Sequence, residues 1–165
     1  MSLVVLLGGA RSGKSRLALE LATGEVTFIA TGEPRDEEMA ERIAAHRAER
    51  PAGWTTVEEP TELRRALEDA RGTVVVDCLS LWVANALERG GAASVEAEGA
   101  EAARVAAGRD GLTVAVSNEV GLGIVPANEL ARVYRDVLGR VNASWVAASE
   151  RAYLVVAGRK LALEP

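Results

Sequence analysis

Residues 7–22 of this 165-residue chain read LGGARSGKSRLALELA and contain a glycine-rich loop. The run before the loop, LVVLL at 3–7, is continuous and rich in β-forming residues, which is typical of a strand covered on both faces. Residues 14–23 place leucines among alanines and charged residues at helical spacing. A strand, a glycine loop and a helix in this order predict a phosphate-binding loop.

The loop fits the pattern G-x-x-x-x-G-K-[ST] at every position. Glycines let a backbone bend around an anion without Cβ clashes, and the loop amides with the helix N-terminus give a fixed positive pole. We expect Lys14 to reach the outer phosphates of a nucleotide and Ser15 to ligate Mg²⁺. The alternative, a chance glycine turn before a helix, is disfavoured by motif and context together. The predicted nucleotide-binding residues of the loop are Gly8, Gly9, Ala10, Arg11, Ser12, Gly13, Lys14 and Ser15.

Short apolar runs alternate with amphipathic segments along the rest of the chain. Thr61 is the expected N-cap of the helix at 61–70. The pattern predicts one α/β domain over 1–165, a P-loop NTPase of the RecA-like class with a mainly parallel sheet and helices on both faces. We predict strands at 25–30, 54–60, 73–77, 112–118 and 152–158, helices at 33–51, 61–70, 79–85, 88–108 and 128–150, a loop at 119–126, and an edge strand or tail at 159–165.

Composition narrows the class of protein. The net charge of −5 argues against a nucleic-acid backbone as the main partner. One cysteine, Cys78, and one histidine, His46, exclude an internal disulfide and a zinc site of several cysteines. The N-terminal apolar run is short and lacks a basic leader, so we expect no signal peptide and no membrane segment. A cytoplasmic enzyme is the simplest interpretation.

Asp77 is the best candidate for a second magnesium ligand. It follows the buried-strand pattern VVV at 74–76, and ligands of open α/β sheets bind beyond the carboxyl ends of the strands. We expect a carboxylate there to hold Mg²⁺ next to the nucleotide through water. The alternative is that Asp77 caps the helix predicted at 79–85.

His46 lies three residues after Ile43 and seven after Met39, so the three share one helix face. One interpretation is that His46 belongs to a stripe that faces the core. The other is chemical, because a neutral imidazole can attack phosphorus and form a covalent nucleotidyl intermediate. The pattern alone leaves both open. Three arginines that could meet a phosphate stand on the same segment: Arg42, Arg47 and Arg50.

Several charged residues near predicted strand or helix ends are further candidates. Glu58 and Glu59 in VEEP, and Glu119 in SNEVG, could contact the guanine edge, the ribose or the metal. Solvated loop acids or helix caps are equally good interpretations of all three. Arg132 and Arg135 could reach phosphates, although arginines on such a helix more often lie on a solvated face.

Six segments between residues 5 and 142, in order and at close spacing, resemble the adenosylcobinamide kinase / adenosylcobinamide-phosphate guanylyltransferase family of cobalamin biosynthesis. The most specific are the run M-x-x-R-I-x-x-H-x-x-x-R-P and the segment SNEVGxGIVP, whereas many families share the phosphate loop. The six segments are LLGGARSGKS, FIATGEPRDEEMAERIAAHRAERP, WTTVEEP, VVVDCLSLWVAN, VSNEVGLGIVP and ARVYRDVLGRVN.

The resemblance implies a bifunctional enzyme. Family members phosphorylate adenosylcobinamide with ATP or GTP, and then transfer GMP from GTP to the phosphate through a guanylylated histidine, giving adenosylcobinamide-GDP. His46 stands at the position of that histidine. The resemblance also implies a homo-oligomer, a trimer. The chain departs from the family at Ala45, where members often carry a second histidine, and in the closing segment GRKLALEP at 158–165.

From this resemblance we expect the loop and Lys14 to serve both reactions, with His46 attacking the α-phosphorus of GTP in the second. Two other hypotheses remain at the level of sequence. One is a small-molecule kinase of single function in which His46 is structural. The other is a nucleotide-binding regulator without catalysis.

Overall fold

Strands and helices alternate along the chain in the computed structural model, which describes residues 2–164. Met1 and Pro165, the two ends of the predicted domain, lie outside the described residues. The strands are β1 (Ser2–Gly8), β2 (Val26–Ala30), β3 (Thr55–Glu58), β4 (Thr73–Asp77), β5 (Leu112–Asn118), β6 (Arg151–Val156) and β7 (Arg159–Ala162). The helices are α1 (Lys14–Leu21), α2 (Glu37–Ala48), α3 (Leu63–Asp69), α4 (Leu79–Arg89), α5 (Ala92–Gly108) and α6 (Glu129–Ala148).

The seven strands form one sheet in the order β3-β2-β4-β5-β1-β6-β7. All neighbours pair in parallel except β6 and β7, which form an antiparallel pair at one edge. The register aligns the carboxyl ends of the central strands: Gly8 lies opposite Asn118, and Ala30 lies opposite both Asp77 and Glu58. Residues that follow these ends therefore meet along one edge of the sheet.

Helices cover both faces of the sheet, as the alternation predicts. On one face α3 to α6 pack against β1, β4 and β5 around fully buried Trp82 and Trp145. On the other face α1 packs against Phe28 and the opposite side chains of the same strands. The predicted α/β fold of a P-loop NTPase, mainly parallel with helices on both faces, is confirmed. Of the helices in the described residues, none is long and apolar enough to span a membrane.

The predicted helix boundaries differ from the structure at several places: the helix predicted at 79–85 continues to Arg89, and the one predicted at 88–108 begins only at Ala92, because Gly90 and Gly91 separate α4 from α5. The segment 33–51 becomes helical only at Glu37, because the Asp36 carboxylate accepts a hydrogen bond from the Met39 amide and begins the helix there. The prediction of Thr61 as an N-cap is wrong, since Glu62 holds that position of α3. The Glu59 carboxylate accepts from the Thr61 and Glu62 amides, which precede the helix, and no side chain caps α3 itself.

Candidate active site

A cleft of about 710 Å³ lies beyond the carboxyl ends of the central strands. Residues 10–15 of the phosphate loop form one wall, and the inner face of α2 forms the opposite wall. The ends of β4 and β5, at Asp77 and Asn118, form the floor. The aligned register of the parallel strands thus brings the loop, the histidine helix and Asp77 to one place.

The loop backbone needs glycine at two positions. Gly13 adopts a φ of 101° at the N-cap of α1, a left-handed conformation that glycine adopts without strain. A Cβ built on Gly8 would lie 2.4 Å from the Val155 carbonyl oxygen of β6. The turn after β6 also supports the loop, because the Gly158 amide donates to the Ser12 carbonyl at 2.8 Å.

Lys14, the first residue of α1, is buried with only 7% of its surface exposed. Its Nζ donates to the Gly9 carbonyl at 2.5 Å and lies 3.4 Å from the Ser12 hydroxyl. Burial lowers the pKa of Lys14 below its usual value, and the negative charge of nearby Asp77 opposes this shift. The ammonium group is therefore fixed inside the loop, where an anion would restore the solvation that it lacks.

His46 faces the cleft from α2. The partly buried residues of this helix are Met39, Ile43 and His46, at the spacing that the sequence predicts for one face, and none of its residues is fully buried. His46 Nδ1 lies 3.4 Å from Asp77 Oδ2. The hydrogen bond to Asp77 raises the pKa of His46, while burial of the ring opposes the shift. His46 is therefore held against a carboxylate in the cleft and not packed into a core.

Asp77 and Ser15 both line this cleft. Asp77 does not cap α4, because the N-cap position belongs to Cys78 and no side chain bonds the free amides there. Within residues 2–164, no group of three or more His, Cys, Asp or Glu side chains could hold a metal ion by itself. Mg²⁺ bound with a nucleotide takes one or two protein oxygens and completes its shell with phosphates and water. The pair of a hydroxyl and a carboxylate fits such an ion.

The two candidate acids of VEEP separate in the structure. Glu58, the last residue of β3, lines the cleft and forms an ion pair with Arg47. Glu59 lies outside the cleft lining, and its Oε1 accepts from the amides of Thr61 and Glu62 at 3.0 and 2.9 Å. The geometry favours the nucleotide-site interpretation for Glu58, whereas Glu59 bonds the turn before α3 without capping the helix.

The other candidates also lie outside the cleft lining. Glu119 Oε1 accepts from the Gly121 amide at 2.6 Å and so shapes the start of the 119–126 loop. Arg132 closes that loop onto α6 by donating to the Pro126 and Ala127 carbonyls. Arg135 pairs with Asp136, its neighbour in sequence. Among residues 2–164, none of these three side chains forms a hydrogen bond or ion pair with the phosphate loop or with His46.

Several cleft residues lie outside the nucleotide site predicted from sequence, and two of them are Asn118 and Arg50, the latter named there only among three arginines that could meet a phosphate. Asn118 ends β5 beside Gly8 and donates to the Ser80 hydroxyl at 3.0 Å. The sequence could have indicated Asn118, because this residue precedes Glu119 in the specific SNEVG segment. Arg50 follows α2 and lines the cleft near Asp77. Its signal was the arginine of H-x-x-x-R-P, although sequence alone could not separate it from Arg42 and Arg47.

Comparison with known proteins agrees with these features along almost the whole chain. The family model described as cobinamide kinase / cobinamide phosphate guanyltransferase matches residues 4–163. The bifunctional adenosylcobalamin biosynthesis protein CobP of Pseudomonas aeruginosa is 42% identical, covering 97% of this chain and 96% of the relative. The proteins named CobU of Escherichia coli and Salmonella typhimurium are 40% and 37% identical, each covering 94% of this chain and 96% of the relative.

Proposed function

The chain belongs to the cobinamide kinase / cobinamide phosphate guanyltransferase family, and we propose that it performs both reactions in the one cleft described above. It is a bifunctional enzyme of adenosylcobalamin biosynthesis. The first reaction phosphorylates adenosylcobinamide with ATP or GTP. The second transfers GMP from GTP to adenosylcobinamide phosphate, giving adenosylcobinamide-GDP and pyrophosphate.

In the kinase reaction the phosphate loop holds the nucleotide. The amides of residues 10–15 and the Lys14 ammonium surround the outer phosphates and stabilise the charge that develops on them. The hydroxyl oxygen of the substrate attacks the γ-phosphorus and loses its proton to water, while the bond to the bridging oxygen of the β-phosphate breaks. The nucleoside diphosphate leaves with that electron pair. Little covalent work is required of the protein, so positioning dominates.

Ser15 and Asp77 are the residues that would hold Mg²⁺ in this reaction. The ion would supply charge neutralisation between the β- and γ-phosphates. The Ser15 hydroxyl stands at the start of α1 and Asp77 at the end of β4, so the fold holds both oxygens at the mouth of the loop.

In the second reaction His46 is the nucleophile. A Nδ1–H directed to Asp77 leaves the lone pair on Nε2, which attacks the α-phosphorus of GTP while pyrophosphate leaves with the electrons of the broken P–O bond. A phosphate oxygen of adenosylcobinamide phosphate then attacks the same phosphorus. The N–P bond breaks, and its electron pair returns to the imidazole.

The observation that carries this proposal is the position of His46. Its ring lies 3.4 Å from Asp77 in the cleft that the phosphate loop also lines. A structural histidine on a core-facing stripe would be enclosed by aliphatic side chains, whereas this one is a third exposed at 33% of its side-chain surface. This exposure favours the chemical interpretation over a kinase of single function.

The test is covalent labelling with GTP. We expect GTP labelled at the α-phosphate to modify the unmutated protein at His46 and to leave His46→Ala unlabelled. GTP labelled at the γ-phosphate is the control, because its label departs in pyrophosphate. Addition of adenosylcobinamide phosphate should move the α-label from the protein into a soluble product. A stable label on His46→Ala, or a protein that turns over without any covalent label, would contradict the proposal.

We also propose that the enzyme is a homo-oligomer, a trimer, located in the cytoplasm, where the nucleotide substrates of both reactions are available. The support for assembly is an apolar patch on the 119–126 loop and the start of α6, with Leu122 85%, Ile124 98% and Leu130 74% exposed. A patch of this kind is typical of a protein–protein contact. A second copy of the chain is its proposed occupant.

Light scattering after size-exclusion chromatography tests the assembly. We expect the unmutated protein to have about three times the mass of a monomer, and Ile124→Asp to reduce that mass by placing a charge in the contact. A monomeric unmutated protein, or an unchanged mass for the variant, would contradict the proposed surface.

A further inference from the structure

Arg50 differs from the other arginines near His46 in how it is held. Its guanidinium carbon lies 3.8 Å from the centre of the Phe28 ring. Its Nη1 is 3.3 Å from the Thr56 hydroxyl, and its Nε is buried without a hydrogen-bond partner. By contrast Arg47 is exposed and pairs with Glu58. Stacking on an aromatic ring therefore fixes the Arg50 side chain without neutralising its charge.

The charge of Arg50 has no carboxylate partner at ion-pair distance among residues 2–164. Burial lowers the pKa of Arg50, and the charge of nearby Asp77 opposes the shift. The guanidinium is therefore partly desolvated and lies near the carboxylate that contacts His46. A half-buried cation of this kind is costly unless something compensates it. Because the side chain lines the cleft, a bound anion can supply that compensation.

The position of Arg50 relative to His46 indicates which anion it meets. The two residues are four apart, and the Arg50 amide still bonds the Arg47 carbonyl in a tight last turn after α2. Arg50 lies beyond Ala48, the last residue of α2, but both side chains line the same cleft. The His46 ring lies 3.4 Å from Asp77, and the charge of Asp77 also acts on Arg50. Arg50 and His46 are therefore gathered around one carboxylate, whereas the outer phosphates are assigned to the phosphate loop.

We propose that Arg50 binds an oxygen of one of the two phosphates that react at His46. The subsite is separate from the phosphate loop, and its role rests on the proposed guanylylation of His46. The recognised group is a phosphate oxygen, and it has two possible sources. One is the α-phosphate of GTP as it moves to the imidazole. The other is the phosphate of adenosylcobinamide phosphate as it approaches the intermediate. A forked guanidinium suits either, because it donates two parallel hydrogen bonds to phosphate.

Two single-turnover measurements separate the sources. The first is the rate at which GTP labelled at the α-phosphate modifies His46 without corrinoid. The second is the rate at which adenosylcobinamide phosphate removes the label after excess GTP is removed. We expect Arg50→Gln to slow at least one of them about 10- to 100-fold, the effect of losing a charged hydrogen bond. A slower first step identifies the α-phosphate, and a slower second step alone identifies the acceptor phosphate.

Three comparisons distinguish binding from a structural role. Phosphorylation of adenosylcobinamide by ATP should fall by a smaller factor in Arg50→Gln than the slowed labelling or transfer step. Arg50→Lys keeps the charge but loses the forked group, so its labelling and transfer rates should lie between those of the unmutated protein and Arg50→Gln. Added guanidinium ion should partly restore these rates in Arg50→Ala. The control is Arg104→Gln on α5, which removes an exposed guanidinium paired with Glu101 outside the cleft. Thermal unfolding checks each variant, and if Arg50→Gln does not fold, Arg50→Lys decides by the same criteria.

Equal labelling and equal transfer in folded Arg50→Gln would overturn the role of Arg50 alone. A parallel loss of kinase activity would also overturn it, because that result indicates damage to the whole cleft. Absence of label in the unmutated protein would refute the His46 intermediate itself, and the Arg50 subsite with it. The three outcomes are therefore distinguishable.

Discussion

The two walls of the cleft are built in opposite ways. The phosphate loop is tied to the sheet: Lys14 is buried, Gly8 is pressed against the β6 backbone, and the Ser12 carbonyl accepts from the Gly158 amide. The facing helix α2 buries no residue completely and meets the rest of the protein through a partly buried stripe. The phosphate loop is therefore anchored in the core, whereas α2 packs on the surface of the core. Substitutions in the loop should therefore change stability and both activities, whereas substitutions on α2 should change one activity and little else.

The largest expected effect distinguishes the phosphate loop, which should serve both reactions, from α2, which should serve only the second. Lys14→Met should slow both phosphorylation and His46 labelling about 100- to 1,000-fold, because it removes a preorganised charge on the outer phosphates. His46→Ala should abolish labelling and GMP transfer but leave phosphorylation near the unmutated rate. Steady-state assays of the two reactions on each variant measure this difference. Full labelling of Lys14→Met by GTP would show that the loop does not hold GTP in the second reaction.

The second effect concerns stability and uses two adjacent glycines. Gly8→Ala should lower the free energy of unfolding by about 1–3 kcal/mol, because its Cβ would lie 2.4 Å from the Val155 carbonyl oxygen and the backbone must shift. Gly9→Ala is the matched control, since a Cβ there meets no atom within 4 Å. Urea unfolding of both variants gives the comparison. Equal stability would mean that the loop moves away from β6 at little cost.

The third effect concerns Asp77, which lies on the floor of the cleft between the phosphate loop and α2. Asp77→Asn should slow both reactions about tenfold, because Asp77 touches His46 and faces the phosphate loop, and loss of a charged hydrogen bond has about this effect. Asp69→Asn, at an exposed carboxylate of α3, is the control. Rates of phosphorylation and of His46 labelling are the measurements. A slower rate of phosphorylation alone, or of labelling alone, would show that Asp77 serves only that reaction.

The smallest effect compares two helix caps of the same design. Asp36 caps α2 and Asn128 caps α6, each accepting at 2.7 Å from the amide three residues ahead. Replacing either with alanine should cost its helix about 1 kcal/mol. For Asn128→Ala the cost should appear in global unfolding, because α6 buries five side chains. For Asp36→Ala it should appear as faster amide hydrogen exchange confined to α2. A global loss in Asp36→Ala would show that α2 unfolds only with the core.

The fold and the loop could be predicted because their signals are local. The glycines and Lys14 lie within eight consecutive residues, and runs of apolar residues mark the buried strands whatever their neighbours. The order of strands could not be predicted in this way. The β1 strand lies between β5 and β6, which are both distant from it in sequence, and only long-range packing decides that pairing.

The rest of the site could not be predicted, because it depends on the direction in which each side chain points. The sequence indicates that direction poorly. Glu58 and Glu59 are neighbours with the same chemistry, yet Glu58 faces the cleft and Glu59 bonds the backbone of the turn before α3. The position of His46 came from a family resemblance, because the spacing of α2 alone fitted a core-facing stripe equally well. The contact between His46 and Asp77 joins residues 31 positions apart and appears only when α2 and β4 are placed together.

The support that Gly158 gives to the phosphate loop has a consequence for engineering this enzyme. The turn between β6 and β7 stands near the opposite end of the sequence from the loop, yet its amide completes the hydrogen bonding of Ser12. A shortened version that stops at the last parallel strand would keep every residue of the nucleotide motif and still lose the backbone contact that holds its shape. The smallest active form must therefore include the edge hairpin, and a circular permutant should open the chain elsewhere.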